Sequence, residues 1–183
     1  MKKAKFPAIL STAIVCYIFW LVITGQIAAL IAWKGIAPQI LIAGAIVSVL
    51  TALFTARFFI HEKAFFFANP KHFFSGIYYC LIAFPWELIK ANVDVALRAL
   101  SPKKKINPGI VKIKTDLQSE YALSALANSI TLTPGTITLD VVEENGENYY
   151  YIHWIDVASE DVKDASSAIA GTLEKWVRRI WGK

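Results

Sequence analysis

The sequence predicts an α+β membrane protein: a transmembrane helical hairpin at the N-terminus, an amphipathic or interfacial helix, then a small βαββα domain on the cytoplasmic side. Three observations predict it. Phe6 to Trp33 and Gly35 to Ala56 contain no Asp, Glu, Lys, Arg or His. Residues 1–105 carry a net charge of +9 while residues 106–183 carry −4, so the two parts suit different surroundings. From Pro108 onward the apolar residues change from continuous runs to the alternating and helical periods of a folded soluble domain.

About 20 apolar residues cross a hydrocarbon core as a helix, which places spans at residues 6–24 and 37–57. Gly25, Gln26, Lys34, Gly35 and Pro38 mark the connection between them. The basic start followed by an apolar run resembles a secretory signal, but the run is long for one and a second span follows almost at once. Lys2, Lys3 and Lys5 precede the first span and Arg57, Lys63 and Lys71 follow the second, with Lys34 alone between. By the positive-inside rule both ends of the hairpin lie in the cytoplasm of a cell (inner or plasma) membrane. Phe58, Phe59 and Phe65 to Phe67 make residues 58–72 a juxtamembrane elbow, so that the chain divides into a hairpin at 1–60 and a segment at 61–105 holding the elbow and an amphipathic or third membrane helix.

In the second span Gly44, Ser48, Ala52 and Ala56 recur every four residues, a stripe of small side chains that lets another helix approach closely. It is read as a subunit-packing face, beside the alternative of ordinary helix packing. Residues 73–100 are apolar as far as Trp86 and then carry Glu87, Lys90, Asp94 and Arg98 on one helical face. Glu87 with Lys90 and Asp94 with Arg98 can pair along it, and Pro85 is expected to kink the entry. A third span would carry Lys103 to Lys105 outside, against the charge rule. Two spans with an interfacial or re-entrant helix are therefore favoured over three, with the basic triplet as a headgroup anchor or a solvated linker.

The domain of residues 106–183 reads as a strand at 109–114, a helix at 116–130 with Leu117, Tyr121, Ser124 and Ala127 on one side, and a strand at 136–142 with Ile137, Leu139 and Val141 on one face. Asn145-Gly146 turns it into a third strand at 149–157, and Ser159 opens a last helix with Val162, Ala165, Ile169, Trp176 and Ile180 as its buried stripe.

The string Leu126 to Thr136, LANSITLTPGT, joins the first helix of this domain to its second strand. Asn128, Ser129 and Thr131 can satisfy amides and carbonyls freed at a helix end, and Pro134-Gly135 suits the two central positions of a type II turn. It reads as a structural corner. Cys16, Cys80, His61, His72 and His153 show no disulfide or metal-ligand spacing, and no nucleophile is paired with a base. No catalytic residue, cofactor or metal is expected. A net charge of −4 on the domain argues against a nucleic-acid partner. Glu87 is the single ionisable group near membrane depth in a segment where ion paths need several, and Lys90 gives it a structural reason. Two functions remain: a non-catalytic subunit of a membrane ion-transport complex, or a membrane-anchored module that recruits a soluble partner.

Trp86-Glu87-Leu88 with Ala91-Asn92, Ser101-Pro102, Pro108-Gly109-Ile110-Val111, LANSITLTPGT, Asp140-Val141, Tyr151-Ile152-His153 and Asp156-Val157 together resemble the E subunits of the Mrp-type multisubunit Na+/H+ antiporters. The resemblance runs the length of the chain and is strongest from residue 86 to 157. It implies a membrane complex that exchanges Na+ or another monovalent cation for protons, with this component needed for assembly, stability or coupling. Related modules occur in membrane-bound hydrogenase-type respiratory complexes, and the ion pathway is usually assigned to the large subunits. The long connection Gly25 to Gly35 and the basic Lys103 to Lys105 depart from the pattern and leave the parent complex open.

Overall fold

The computed structural model describes residues 6–31, 37–60, 64–102 and 106–182. Lys2, Lys3, Lys5, Lys34, Gly35, His61, Lys63 and Lys103 to Lys105 lie outside the described residues. The chain divides into two compact units, Met1–Asn69 and Pro70–Lys183. Residues 70–100 fall in the second unit, where the helix Pro70–Tyr78 packs on the helix Gly171–Trp181 of the α+β domain.

In the first unit, α1 (Phe6–Ile23) and α3 (Pro38–Phe59) form a helical hairpin, with the short α2 (Gln26–Ile31) between them. Both long helices are long and apolar enough to cross a membrane. Their outward residues are large and apolar: Phe6, Val15, Phe19 and Phe54 are each at least 65% exposed. Gly25 adopts φ +70 and separates α1 from α2. Hydroxyls in these two helices bond to their own backbones, Thr12 to the Ala8 carbonyl at 2.9 Å and Thr55 to that of Thr51 at 2.8 Å. In hydrocarbon every such group needs an internal partner. Pro38 sits in the first turn of α3, where its missing N–H costs nothing, and the Ala37 amide donates to the Gln26 side chain at 3.3 Å.

The small-residue row of α3 is occupied within the hairpin. Ser48, Ala52 and Ala56 are buried, and a Cβ on Gly44 would come within 2.4 Å of the Trp20 indole of α1. That ring donates from Nε1 to the Ile40 carbonyl at 3.0 Å. The stripe expected to receive another subunit thus receives α1.

In the second unit, α4 (Pro70–Tyr78) and α5 (Phe84–Leu100) form one helical rod, joined by a π turn over Tyr79–Ala83. Pro85 has no N–H to close an α-type bond, and the turn before it widens so that the Phe84 amide donates to the Tyr79 carbonyl. The turn takes in an extra residue, and Tyr79 and Phe84 lie with ring centroids 5.9 Å apart.

The rest of the unit follows the order β1 (Gly109–Thr115), α6 (Glu120–Leu132), β2 (Thr136–Glu144), β3 (Glu147–Trp154), α7 (Val162–Ile169), α8 (Gly171–Trp181). The sheet is β1-β3-β2, with both pairs antiparallel. Asn145 and Gly146 both have positive φ, as a tight two-residue hairpin requires. Val111, Ile113, Tyr150 and Ile152 face the helices and are buried with Leu126, Ile130, Leu173, Val177 and Ile180.

Three sequence expectations differ from this fold. The last helix is two, since Asp161 caps α7 by accepting from the amides of Lys163 and Asp164, and α7 ends at Ala170 before Gly171. The buried side of α6 is Ala122, Leu126, Ser129 and Ile130, while Tyr121 and Ala127 are half-buried, Ser124 is exposed and Leu117 is buried ahead of the helix. In β2, a bulge between Thr138 and Asp140 moves the register. Ile137 therefore lies opposite His153 on the open face and Val141 opposite Tyr150 on the helix face; simple alternation cannot survive an inserted residue.

The open face carries Lys112, which bonds Glu144 at 2.5 Å and lies 4.2 Å above the Tyr149 ring. The hydrogen bond to Glu144 holds its ammonium above the usual lysine range. Glu174, unforeseen in the sequence, is nearly buried and ties α8 to the end of β1: it accepts from Thr115 Oγ1 at 2.9 Å, the Asp116 amide at 3.2 Å and Arg178 at 2.8 Å.

Two outcomes follow from this packing. Gly44→Val in the full chain costs about 1–3 kcal/mol in detergent unfolding, the usual cost of overpacking, and Trp20→Leu in the same chain recovers part of it; undiminished stability of Gly44→Val would contradict the notch. Burial of Tyr150, whose hydroxyl donates to the Leu123 carbonyl at 3.0 Å, pushes its phenol above the ordinary value of 10.0. The neutral form is favoured by folding, so this contribution is full below pH 10 and is lost as pH rises beyond it, by about 1.4 kcal/mol per pH unit. Alkaline unfolding of Tyr150→Phe is expected to be shallower than that of the parent, and parallel curves would be inconsistent with it.

Candidate functional site: a corner that seats a helix

The residues from Ser129 to Thr138 form the end of α6, a turn and the start of β2, and hydroxyls complete the hydrogen bonding. The Ile130 carbonyl accepts from Thr133 Oγ1 at 2.6 Å and Thr136 Oγ1 at 2.8 Å. Thr138 Oγ1 donates to the Ala127 carbonyl at 3.2 Å, and the Thr138 amide donates to Thr131 Oγ1 at 3.1 Å. These bonds satisfy groups that the last turn of a helix leaves open. Between Thr133 and Thr136 the chain makes a type II turn: the Thr136 amide donates to the Thr133 carbonyl at 3.4 Å, with Pro134 second and Gly135 third at φ +91. Gly135 is required twice, because a Cβ there would also meet Ile155 at 2.9 Å and Val95 of α5 at 3.4 Å.

The same corner holds the long helix. Ser129, buried on α6, donates to the Ala125 carbonyl at 2.7 Å and shares a hydrogen bond of 2.6 Å with the Tyr79 hydroxyl in the π turn. Further back, Tyr78 stacks on Trp176 of α8 with centroids 4.8 Å apart, and His72 Nδ1 donates to the Ile180 carbonyl. At the other end Arg98 pairs with Asp156, whose second oxygen accepts from the Asn107 amide at 3.2 Å. Asn128 is exposed on the outer side of α6 and takes no part in this seam.

Of the polar helix face, Glu87 pairs with Lys90 at 2.7 Å and Asp94 with Arg98 at 2.6 Å. The four residues flank the side that meets the domain, and only Arg98 makes a bridge to it. Sequence reasoning missed Tyr79, His72 and Asp156 as partners, since each finds its contact 50 or more residues away. Among the described residues no group of three His, Cys, Asp or Glu side chains is placed to hold a metal ion. What the arrangement does is fix a helix to a domain.

Two helices long and apolar enough to cross a membrane, followed by an α+β unit whose best-built feature is a helix-docking seam, outline a membrane-protein component. The sequence pattern of the family described as Na+/H+ ion antiporter subunit matches residues 13–180, and the chain belongs to that family. It is 49% identical over 75 residues to the Na(+)/H(+) antiporter E subunit of Alkalihalophilus pseudofirmus, 41% of this chain and 46% of that protein. It is 37% identical over 139 residues to the corresponding E subunit of Bacillus subtilis, covering 76% of this chain and 82% of the relative. Among solved structures, a chain of the membrane-bound sulfane sulfur reductase, an archaeal respiratory membrane complex, is 41% identical and superposes with a TM-score of 0.75, over 96% of this chain and all of that one. The family resemblance carried by the motifs is therefore matched along nearly the whole chain.

The seam yields a double-mutant test. Tyr79→Phe and Ser129→Ala are each expected to cost about 1 kcal/mol, and the double variant to cost less than their sum by about 0.5–1.5 kcal/mol. Strict additivity in thermal unfolding of the full chain would show that the two hydroxyls are not coupled. Gly135→Ala, which meets both the positive φ and Ile155, is expected to cost about 1–3 kcal/mol.

Proposed function

We propose that this chain is a non-catalytic subunit of a multisubunit cation/proton antiporter in the cell membrane, exchanging Na+ for protons driven by the proton gradient. The observation that carries the reading is the family match across residues 13–180, which takes in both the hairpin and the domain. The absence of Asp, Glu, Lys and Arg from Phe6–Trp33 and Gly35–Ala56 supports placing the ion path in other subunits, since such paths are lined by ionisable groups. The basic residues at both ends of the hairpin support a cytoplasmic location for Pro70–Lys183. A domain with a seam and no reactive centre fits a role in assembly, stability or coupling.

A second reading is specifically favoured by the 41% identical chain of a respiratory membrane complex. There the same component would join an antiporter-like module to a redox enzyme rather than stand in a free antiporter.

Mass spectrometry of the complex released in mild detergent tests both readings. Several hydrophobic partner subunits are expected to accompany the chain, with redox subunits among them only under the second reading; recovery of the chain alone would contradict both. In the assembled complex Glu87→Gln is expected to leave cation-dependent proton exchange within about twofold, because Glu87 serves Lys90 and an exposed pair contributes ~0–1 kcal/mol. Loss of exchange with assembly intact would give Glu87 a place in the ion path.

A further inference from the structure

The long helix Pro70–Leu100 has two unlike sides. Tyr79, Val95 and Arg98 face the domain. Opposite them, Phe74, Leu81, Trp86, Ile89, Val93 and Leu97 are all exposed, from 52% at Val93 to 71% at Leu81. The π turn keeps this face continuous, since its additional residue carries the stripe past Pro85 without rotating it under the domain. A row of this length open to water is not the surface of a free soluble domain.

The seam decides what can cover it. Its contacts run from His72, bonded to Ile180, to Arg98, bonded to Asp156. They lie 26 residues apart, about 39 Å along a helix. A spanning helix would have to carry about 30 Å of hydrocarbon between those two points. Trp176 and Ser129, which meet Tyr78 and Tyr79 between those two points, would then enter the membrane with the charged side chains of α8 around them. Desolvating such charges is prohibitive. The helix also follows an apolar helix closely in sequence: α3 ends at Phe59 and α4 begins at Pro70, with residues 60–69 between them. The C-terminal end of the helix leads into Pro102-Lys103-Lys104-Lys105, whose charge suits anionic headgroups.

We propose that Pro70–Leu100 lies flat in the membrane surface, with its uncovered apolar side in the headgroup–acyl boundary and the α+β domain carried on its other side. The bilayer is thus a second docking surface for the protein, parallel to the membrane and separate from the spans. This rests on the membrane location in the function proposed above, and not on the identity of the transported cation or of the partner subunits.

The test is a depth profile of the full chain in vesicles of mixed neutral and acidic phospholipid. Spin labels are placed singly at Phe74, Leu81, Ile89, Val93 and Leu97 in a Cys16→Ala, Cys80→Ala background, with Val15 and Leu50 as labels in the spans. Accessibility to oxygen and to a water-soluble nickel chelate gives the depth of each. All five helix positions are expected at one shallow depth, about 5–10 Å below the headgroups, while Val15 and Leu50 report the hydrocarbon. A profile deepest at the middle of the helix would mean a third span and overturn the proposal. Free access of the chelate to all five, with Val15 and Leu50 still deep, would overturn the proposal alone; chelate access at Val15 and Leu50 as well would overturn the membrane reading with it. Shallow-brominated lipid is expected to quench the fluorescence difference between the parent chain and Trp86→Phe more strongly than deep-brominated lipid does, a check that needs no label, and the reverse order would count against it.

Discussion

The organising constraint is the seam between the helix 70–100 and the domain that follows it. It is made by a few contacts of different kinds: the shared hydroxyl bond of Tyr79 and Ser129, the approach of Val95 to Gly135, the stacking of Tyr78 on Trp176 and the ion pair of Arg98 and Asp156. Each alone is worth about a kilocalorie or less. Together they span the whole helix and convert what would be a loose amphipathic segment into part of a folded body. The three-stranded sheet is small, and a sheet of this size gains stability from every layer packed on its helices.

The shape of the corner explains why its sequence is so distinctive. A helix must end, reverse and enter an edge strand within four residues, beside a second helix that leaves no room for a side chain at Gly135. Threonines at 131, 133, 136 and 138 supply the bonds that the helix end and the strand start lack. Pro134 and Gly135 set the backbone. The residues are polar because backbone groups need partners, and a run of hydroxyls placed to serve its own backbone has the same composition as a binding site.

Much of this was legible from the chain. Charge-free runs gave both long apolar helices to within a residue or two, the Asn145-Gly146 hairpin needed only its two positive φ angles, and the i,i+3 and i,i+4 spacing gave the pairs Glu87-Lys90 and Asp94-Arg98. What stayed hidden depends on contacts distant in sequence or on one inserted residue. The bulge at Leu139 reverses the face of the rest of β2, and the π turn before Pro85 keeps two helix halves in phase; neither leaves a periodic trace. The row Gly44, Ser48, Ala52 and Ala56 was visible as a packing face, but not that α1 fills it through Trp20. The asymmetry is physical: local spacing fixes which side chains share a face, and only the folded chain shows what meets that face.

Hydrogen–deuterium exchange of the full chain in a lipid bilayer tests the central claim most directly, namely that the long helix belongs to the domain and not to the hairpin. The amides of residues 70–100 are predicted to exchange in step with those of α6 and β3, and to lose protection together with them when Ser129 is replaced by Ala. Protection that follows α1 and α3 instead, unmoved by Ser129→Ala, would contradict it.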